Sequence, residues 1–488
     1  MRILYIDVDS LRPDHLGCYG YHRQTSPTID SLAARGVRLT NYYVSDAPSL
    51  PSRTALFSAR FGFHTGVINH GGALADMRSL GAKRPFNNHF QSHQAWVDVL
   101  RFQGFHTAMI SPFPGRHAAW HVHEGFLETH DVGKHAGETA DDMAGEALRW
   151  IRERGRQKPN WFLHLNFWDP HTPYRTPGSF GNPFEPDPAP DWLTEEMIAR
   201  QRDSFGPMSA RDLPAGTQWP GLPHEMTSRD DFKRWIDGYD VGIRYVDEHV
   251  GHVLKALEEE GILDDTIIII SADHGENQGE LNVYGDHQTA DYVTSRVPCI
   301  VAGPGIRQGY VDDRFHYQID LGPTLVELAG AEPREKWDGV SFLPVLTRGE
   351  AVGRPYLVVS QAAWSCQRGV RFDEWMLVRT YHDGLKDFPD VMLFDVDIDP
   401  HETTDLTEKR PDLVGRGMQL LDAWVTEQLA TSDEPIDPMW EVIHEGGPFH
   451  TRGLLGKYLD DLRQSGRREA ADRLEHRHRY LHRFDADV

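Results

Sequence analysis

The sequence predicts an α/β fold: a large, mostly parallel central sheet flanked by helices, then a smaller α+β domain with an antiparallel sheet. Three observations predict it. Strand-like and helix-like patterns alternate from residue 2 to about 350, as repeated βα units require. Ile267 to Ile270 form an unbroken β-branched run, which suits a central strand covered on both faces. After "RPYLVVS" the pattern shifts to the two-residue alternation of antiparallel strands. A chain of 488 residues has room for two or three domains.

The elements follow in order. "RILYIDVD" reads as a strand ending in acidic residues. "SPTIDSLAARG" reads as a helix with a Ser or Thr cap, a proline in its first turn and Gly36 as its stop. "GVRLTNYYVS" is a strand, "SRTALFSARFG" a helix, "FHTAMIS" a strand, "ADDMAGEALRWIRER" a long amphipathic helix and "NWFLHLNFW" an apolar strand. A long helix from "RWIDGYDVG" to "KALEEEG" precedes the strand "DTIIIISAD". Residues 174–232, rich in Pro, Asp and Trp, interrupt the rhythm and read as an excursion or lid over the sheet. The expected domains are a catalytic α/β unit over 1–350, an α+β subdomain over 351–430 and a helical extension over 431–488. The last of these ends in a charged amphipathic helix, "DDLRQSGRREAADRLEHRHRYLHRF", suited to pack on the body or to join two copies in a homo-oligomer.

Fifty basic residues against 74 acidic ones give a net charge of −24. That argues against nucleic acid or an anionic membrane as partner, since either needs a wide basic surface. A small anionic substrate remains compatible, because a pocket can be basic inside an acidic protein. Cys18, Cys299 and Cys366 form no CxxC pair, so no disulfide framework is expected. "MRILYIDVDS" carries charges within its first apolar run and does not read as a signal peptide, and no stretch reaches transmembrane length. The expected location is cytoplasmic, or periplasmic if a leader has been removed.

Three acidic segments fall at strand ends, where an open α/β sheet places its ligands. "DVDS" supplies Asp7, Asp9 and Ser10, with the two aspartates on one face of a strand. "SADHGEN" supplies Asp273 and His274, and "NFWDPHTPY" supplies Asp169 and His171. Carboxylates with one histidine and a hydroxyl suit Ca²⁺ or Mg²⁺ better than zinc. The plainer readings are that Asp-His caps the next helix and that "DPH" is a turn. "SLPSR" sets Ser49 and Arg53 where a helix begins; its plain reading is an N-cap serine.

"SLPSR" resembles the Cys/Ser-x-Pro-Ser-Arg signature of the sulfatases, in the alkaline phosphatase superfamily. The resemblance extends in order through "ILYIDVDSLRPDHLGCYGY", "GFHTG", "NFWDPHTPY", "ADHGEN", "RVPCIVAGPG", "QIDLGPTLVELAG", "WDGVSFLPVL" and "LFDVDIDPHETTDL", from about residue 2 to about 430. It implies an alkaline-phosphatase-like sandwich, one divalent cation (Ca²⁺ first, Mg²⁺ or Mn²⁺ otherwise) and formylglycine at position 49. By residue, it implies metal ligation by Asp9, Asp273 and His274, with Ser49 as the precursor of the metal-bound nucleophile. Arg53 supports that nucleophile, and His171 contacts the ester and its leaving oxygen. Three departures stand out. Ser10 replaces the acidic neighbour of Asp9, which leaves Asp7 as a compensating carboxylate. "SPFPGRHAAW" replaces the family's lysine-x-histidine element, leaving Arg116 and His117 in that role. His287 occupies the position of a second family lysine, where it can donate to the leaving oxygen or bind the anion.

The implied activity is hydrolysis of a sulfate ester or sulfamate, expected on a carbohydrate. In formylglycine chemistry the aldehyde hydrate attacks sulfur, the alcohol leaves, and the remaining hydroxyl expels sulfate. A plain serine performs only the first half. Ser49 is therefore oxidised by a formylglycine-generating or radical maturation enzyme, or silences the enzyme in place of cysteine, or is a plain nucleophile. The alternatives are a phosphodiesterase or phosphonate monoester hydrolase of the same superfamily, and an inactive metal-dependent anion- or glycan-binding protein. Trp120, Trp192, Trp219, Trp235 and Trp364 are candidates for stacking on sugar rings or for packing. The histidines of "RHAAWHVHEG" read as pocket or surface hydrogen-bonding groups rather than a second metal site.

Overall fold

The computed structural model describes residues 1–77, 94–135, 137–214, 219–434 and 436–479. Eight strands form the main sheet: β1 (Arg2–Val8), β2 (Gly36–Tyr43), β3 (His106–Ile110), β4 (Glu128–His130), β5 (Trp161–Phe167), β6 (Thr266–Ser271), β7 (Cys299–Ala302) and β8 (Tyr310–Tyr317). Their order is β8-β2-β7-β6-β1-β5-β3-β4. All neighbours are parallel except β7, which runs antiparallel to both β2 and β6. Every residue of β5 and β6 is buried, the mark of strands covered on two faces.

The covering helices fall into two groups. Helices α1 (Pro27–Ala34) and α4 (Ala140–Trp150) pack against the 31-residue α5 (Arg229–Glu259). Helices α2 (Ser49–Ser58) and α3 (Trp96–Phe102) pack against α6 (Leu321–Leu328). Helix α4 opens with a capping box in which the Thr139 and Asp142 side chains satisfy the first free amides. The expected stop at Gly36 is displaced: α1 ends at Ala34, and Gly36 is the first residue of β2. A Cβ there would lie 2.2 Å from the Val301 carbonyl of β7, so the glycine serves the close approach of two strands.

The second sheet contains β9 (Tyr356–Gln361), β10 (Cys366–Phe372), β11 (Trp375–His382) and β12 (Val391–Asp395), all antiparallel, with α7 (Pro411–Thr431) packed on it. Its edge is unexpected. Asp46–Ala47, between β2 and α2, pairs in parallel with Ser360 and Gln361. The approach to Ser49 is thus a rung of the second sheet.

Segment 174–232 packs into the main core through Phe184, Leu193, Ile198 and Met226. The single terminal helix expected from the sequence is two helices, α8 (Leu455–Gln464) and α9 (Arg468–His478), broken at Gly466, where φ is 78°. The residues expected to extend it beyond 479 lie outside the described ones. This pair folds onto the body: Leu459, Leu462, Ala471 and Leu474 bury Phe205 and Leu385. Arg467 grips Asp212 through two bonds of 2.8 and 2.9 Å. Under the pair, the Lys386 ammonium is 3% exposed and donates to the Pro207 carbonyl. Burial pulls its pKa down to about 7, against the attraction of Asp286 and Asp212. Between that value and the ordinary lysine value of about 10.4, only the unfolded chain binds the proton, so this group makes stability rise with pH. Thermal unfolding from pH 7 to 10 is expected to show that slope, and Lys386→Met to flatten it. Among the described residues, no helix is long and apolar enough to cross a membrane.

Candidate active site

Because β1, β5, β6 and β3 are parallel, their C-terminal ends open onto one crevice, and the loops leaving them carry Asp9, His171, Asp273 and Arg116. Asp9, Asp273 and His274 are buried, and each offers a ligand atom within 4.8 Å of the others. No second such cluster occurs among the described residues. Ser10 leaves the strand with a left-handed φ of 60°. Its hydroxyl donates to Asp9 Oδ1 at 3.1 Å and its amide to Asp273 Oδ1 at 3.2 Å. Asp7 turns instead to Arg53 Nε (3.0 Å) and His164 Nε2 (3.2 Å).

Arg53, from the second turn of α2, is the hub. Its Nη1 lies 2.6 Å from Asp273 Oδ2 and 3.2 Å from Asp9 Oδ2. Its guanidinium also stacks 4.6 Å from the Phe113 ring. Burial opposes the ionisation of Asp9, yet the Arg53 charge holds it below the usual carboxylate range. Asp273 is pushed up to about 7 by burial and by the nearby Asp9 and Asp7, against Arg53. Three buried carboxyl groups face one guanidinium; with all three ionised the excess is two negative charges, the charge a divalent cation neutralises. His274 fits the same role. Its Nδ1 donates to the Gly275 carbonyl at 2.8 Å, so Nε2 carries the lone pair, 3.4 Å from Asp273 Oδ2.

Ser49 is the first residue of α2 and not its cap; that position is Pro48, with no side-chain bond. The Ser49 hydroxyl instead donates to His274 Nε2 at 2.9 Å. Ser52 binds across the site and not within its own turn: its Oγ lies 2.5 Å from the Asp273 carbonyl and 3.1 Å from Gln318 Oε1. His287 lies against His274 with ring centres 3.9 Å apart, and His171 is 5.4 Å from His287. Burial lowers the pKa of His171 to about 4 and takes that of His287 well below its usual value. Both are neutral imidazoles at neutral pH. Arg116 lies 4.3 Å over the Trp168 ring, which in turn stacks on His171. His117 rests on Phe113 and faces His70.

Other candidates fall elsewhere. Asp169 Oδ2 accepts from the Ala140 amide at 2.9 Å and caps α4. Trp219 and Trp235 are core residues, while Trp120 is exposed and Trp192 stacks on His401. A cavity of about 200 Å³ between Trp192, Gln201, Glu280 and His401 adjoins Arg12 and holds none of the triad. The unbalanced charge lies at the triad. The sequence reading missed Gln318, Tyr239 and His164. Gln318 supports the Ala272 carbonyl, and Tyr239 the Ser10 carbonyl at 2.6 Å. Gln318 heads the segment "QIDLGPTLVELAG" of the resemblance but carries no assigned role there; no spacing links Tyr239 or His164 to the motifs, and only the fold brings those two in.

Residues 2–331 match the sulfatase family model. The chain belongs to the sulfatase family. As a sulfatase it is a metal-dependent hydrolase of sulfate esters on the alkaline phosphatase superfamily fold. It is similar to a choline-sulfatase of Rhizobium meliloti, 27% identical over 418 residues and 78% of each chain. It is also similar to an N-acetylglucosamine-6-O-sulfatase of Bacteroides thetaiotaomicron, 23% identical over 483 residues, covering 83% of this chain and 82% of the other. The solved structure of a 2-O GAG sulfatase superposes with a TM-score of 0.68 at 22% identity, over 88% of this chain and 92% of that one. Ser10 stands beside Asp9 where the resemblance implies an acidic residue. Ser10→Asp is expected to lower the melting temperature of the metal-free protein, by adding a carboxylate to a crowded site. It is expected to tighten divalent binding by about tenfold, seen as a larger metal-induced thermal shift.

Proposed function

We propose that this sulfatase hydrolyses a sulfate ester on a carbohydrate, with the side chain at position 49 as nucleophile in formylglycine form and Ca²⁺ as the cation. The observation that carries the reading is the single cluster in which the Ser49 hydroxyl, the Arg53 guanidinium and the Asp9–Asp273–His274 triad meet. The donor set of carboxylate and hydroxyl oxygens with a single imidazole favours a hard cation. Asp9, Asp273 and His274 would hold such a cation, which would neutralise the buried carboxylates and supply positive charge to the anionic ester. Arg53 fixes the carboxylates, and through them the entry to α2. Arg116, on the Trp168 face and within the field of Asp9, balances the ester's charge as it builds. His287 is assigned the hydrogen bond to the leaving oxygen, its Nδ1 having no partner among the described residues, with His171 beside it. Likeness to the N-acetylglucosamine-6-O-sulfatase supports the carbohydrate.

Mass spectrometry of the peptide from Leu39 to Arg53 tests the nucleophile, using protein made in its native host without carbonyl-reactive reagents. A mass lower by two hydrogens means formylglycine. An intact serine overturns it and leaves a plain alkoxide or a silent site. Turnover of sulfate, phosphate diester and phosphonate esters by the same sample then separates the sulfatase from a phosphonate or phosphodiester hydrolase.

A further inference from the structure

Beyond the triad, on the side of His287, a second wall is assembled from three distant segments. His70 follows α2, Trp364 lies between β9 and β10, and His450 belongs to the C-terminal extension. His70 Nδ1 and His450 Nε2 are 2.9 Å apart, and the His117 ring is 5.2 Å from that of His70. Trp364 stacks on His450 at 4.3 Å and 19°. The wall is tied to the active site through its backbone. The Gln361 amide donates to the His287 carbonyl at 2.6 Å, and Gln361 Oε1 accepts from the Ala363 and Trp364 amides. The Ala363 carbonyl accepts from the His450 amide at 3.1 Å. Asn69 Oδ1 accepts from the amides of His70 and Phe449. These bonds fix the backbone that carries His70, Trp364 and His450.

The wall is polar and uncharged. Burial first, with the Arg116 charge adding to it, lowers the pKa of His117 to about 3 and of His450 to about 4, and puts that of His70 well below its usual value. Arg116 is the cation acting on all three, and it also faces Asp9, on the ester's side. The nearest charges of the extension, Arg452 and Glu445, neutralise each other at 2.9 Å. Two buried donors or acceptors, Asn69 Nδ2 and His70 Nε2, have no hydrogen-bond partner among the described residues. Asn69 is fully buried and lies out of a ligand's reach, whereas His70, His117, Trp364 and His450 are each part-exposed, as groups that touch a ligand must be.

We infer that His70, His117, Trp364 and His450 form the subsite for the leaving alcohol, and that it takes an uncharged, hydroxyl-rich ring rather than one bearing a carboxylate or a second sulfate. This rests on the sulfatase reading above. Neutral imidazoles pair with sugar hydroxyls as both donors and acceptors, and an indole face takes the apolar face of a pyranose. A second anion here would meet neutral rings, because Arg116, the one arginine acting on all three histidines, already lies on the Trp168 ring and within the field of Asp9.

The test uses the full chain in its formylglycine form with Ca²⁺ and three probes. They are p-nitrophenyl sulfate, N-acetylglucosamine 6-sulfate or galactose 6-sulfate, and a glucuronate 2-sulfate. The neutral sugars are expected to exceed the uronate in kcat/KM by about a hundredfold. Trp364→Ala and His450→Ala are each expected to lower the ratio of sugar to aryl sulfate kcat/KM about tenfold, mainly through KM. Metal-induced thermal stabilisation serves as the check that each variant is folded. Equal turnover of uronate and neutral sugars, or parallel losses on sugar and aryl sulfate, overturns the subsite. Cleavage of the aryl sulfate with none of either sugar also overturns the subsite and leaves the sulfatase reading intact. No cleavage of any probe removes the sulfatase reading, and the subsite with it.

Discussion

Arg53→Ala is expected to destabilise the metal-free protein by about 3–5 kcal/mol, the cost of leaving buried charges without their partner. Arg53 is 1% exposed and its guanidinium touches Asp7, Asp9 and Asp273 at 3.0, 3.2 and 2.6 Å. Without it, three carboxylates repel one another inside the protein. Urea unfolding with and without Ca²⁺ checks this. Added cation is expected to recover part of the loss, because it opposes the same charges. Arg53→Lys restores one positive charge but not the planar fork that reaches three acceptors, so it should recover less than half of the loss. An Arg53→Ala protein as stable as the parent without metal would mean that the carboxylates hold protons and that the hub is not electrostatic.

Ser49→Ala is expected to lower turnover by on the order of 10⁴ to 10⁶, the loss that removal of a catalytic nucleophile brings. Metal-induced thermal stabilisation is expected to persist, because Asp9, Asp273 and His274 remain. Ser49→Cys, co-expressed with a maturation enzyme that acts on cysteine, is expected to restore turnover. Activity that survives in Ser49→Ala would place the nucleophile elsewhere. A matured Ser49→Cys protein that binds metal and turns over nothing would instead mark a protein that holds its ligand without cleaving it.

The triad was legible in the sequence for a physical reason. In a parallel sheet, strand ends converge, so acidic residues just after two apolar runs are neighbours in space even when 264 residues separate Asp9 from Asp273. Ser49 and Arg53 were legible because "SLPSR" stands where a helix begins and resembles the sulfatase signature, and residues four apart on a helix share one face. The alternation of β1 also placed Asp7 beside Asp9, and both reach Arg53. What the pattern hid is tertiary. Nothing about Asn69, His70 or His450 marks them as neighbours, since 380 residues separate the two histidines and no periodic element connects them. Gly36 misled for a related reason: a glycine after a helix reads as a stop, but here it is needed by the strand across from it. The charged tail was read as one helix because its apolar positions keep helical spacing across Gly466, where the backbone turns left-handed.

The rung at Asp46–Ala47 sets the dynamics of the reactive turn. Ser360 donates its amide to the Ser45 carbonyl at 2.9 Å, and the Gly62 amide donates to Asp46 Oδ2 at 2.8 Å, so the segment before Ser49 is stitched on two sides. Loops that carry chemistry usually belong to the least protected part of a protein and open many times before the whole unfolds. This turn instead leaves the main sheet at β2 and joins the edge of the second. Its amide protons are expected to exchange at the pace of whole-molecule unfolding, together with those of β9. Loosening the second sheet therefore slackens the catalytic turn directly, so denaturant extinguishes turnover and melts the smaller sheet in one step.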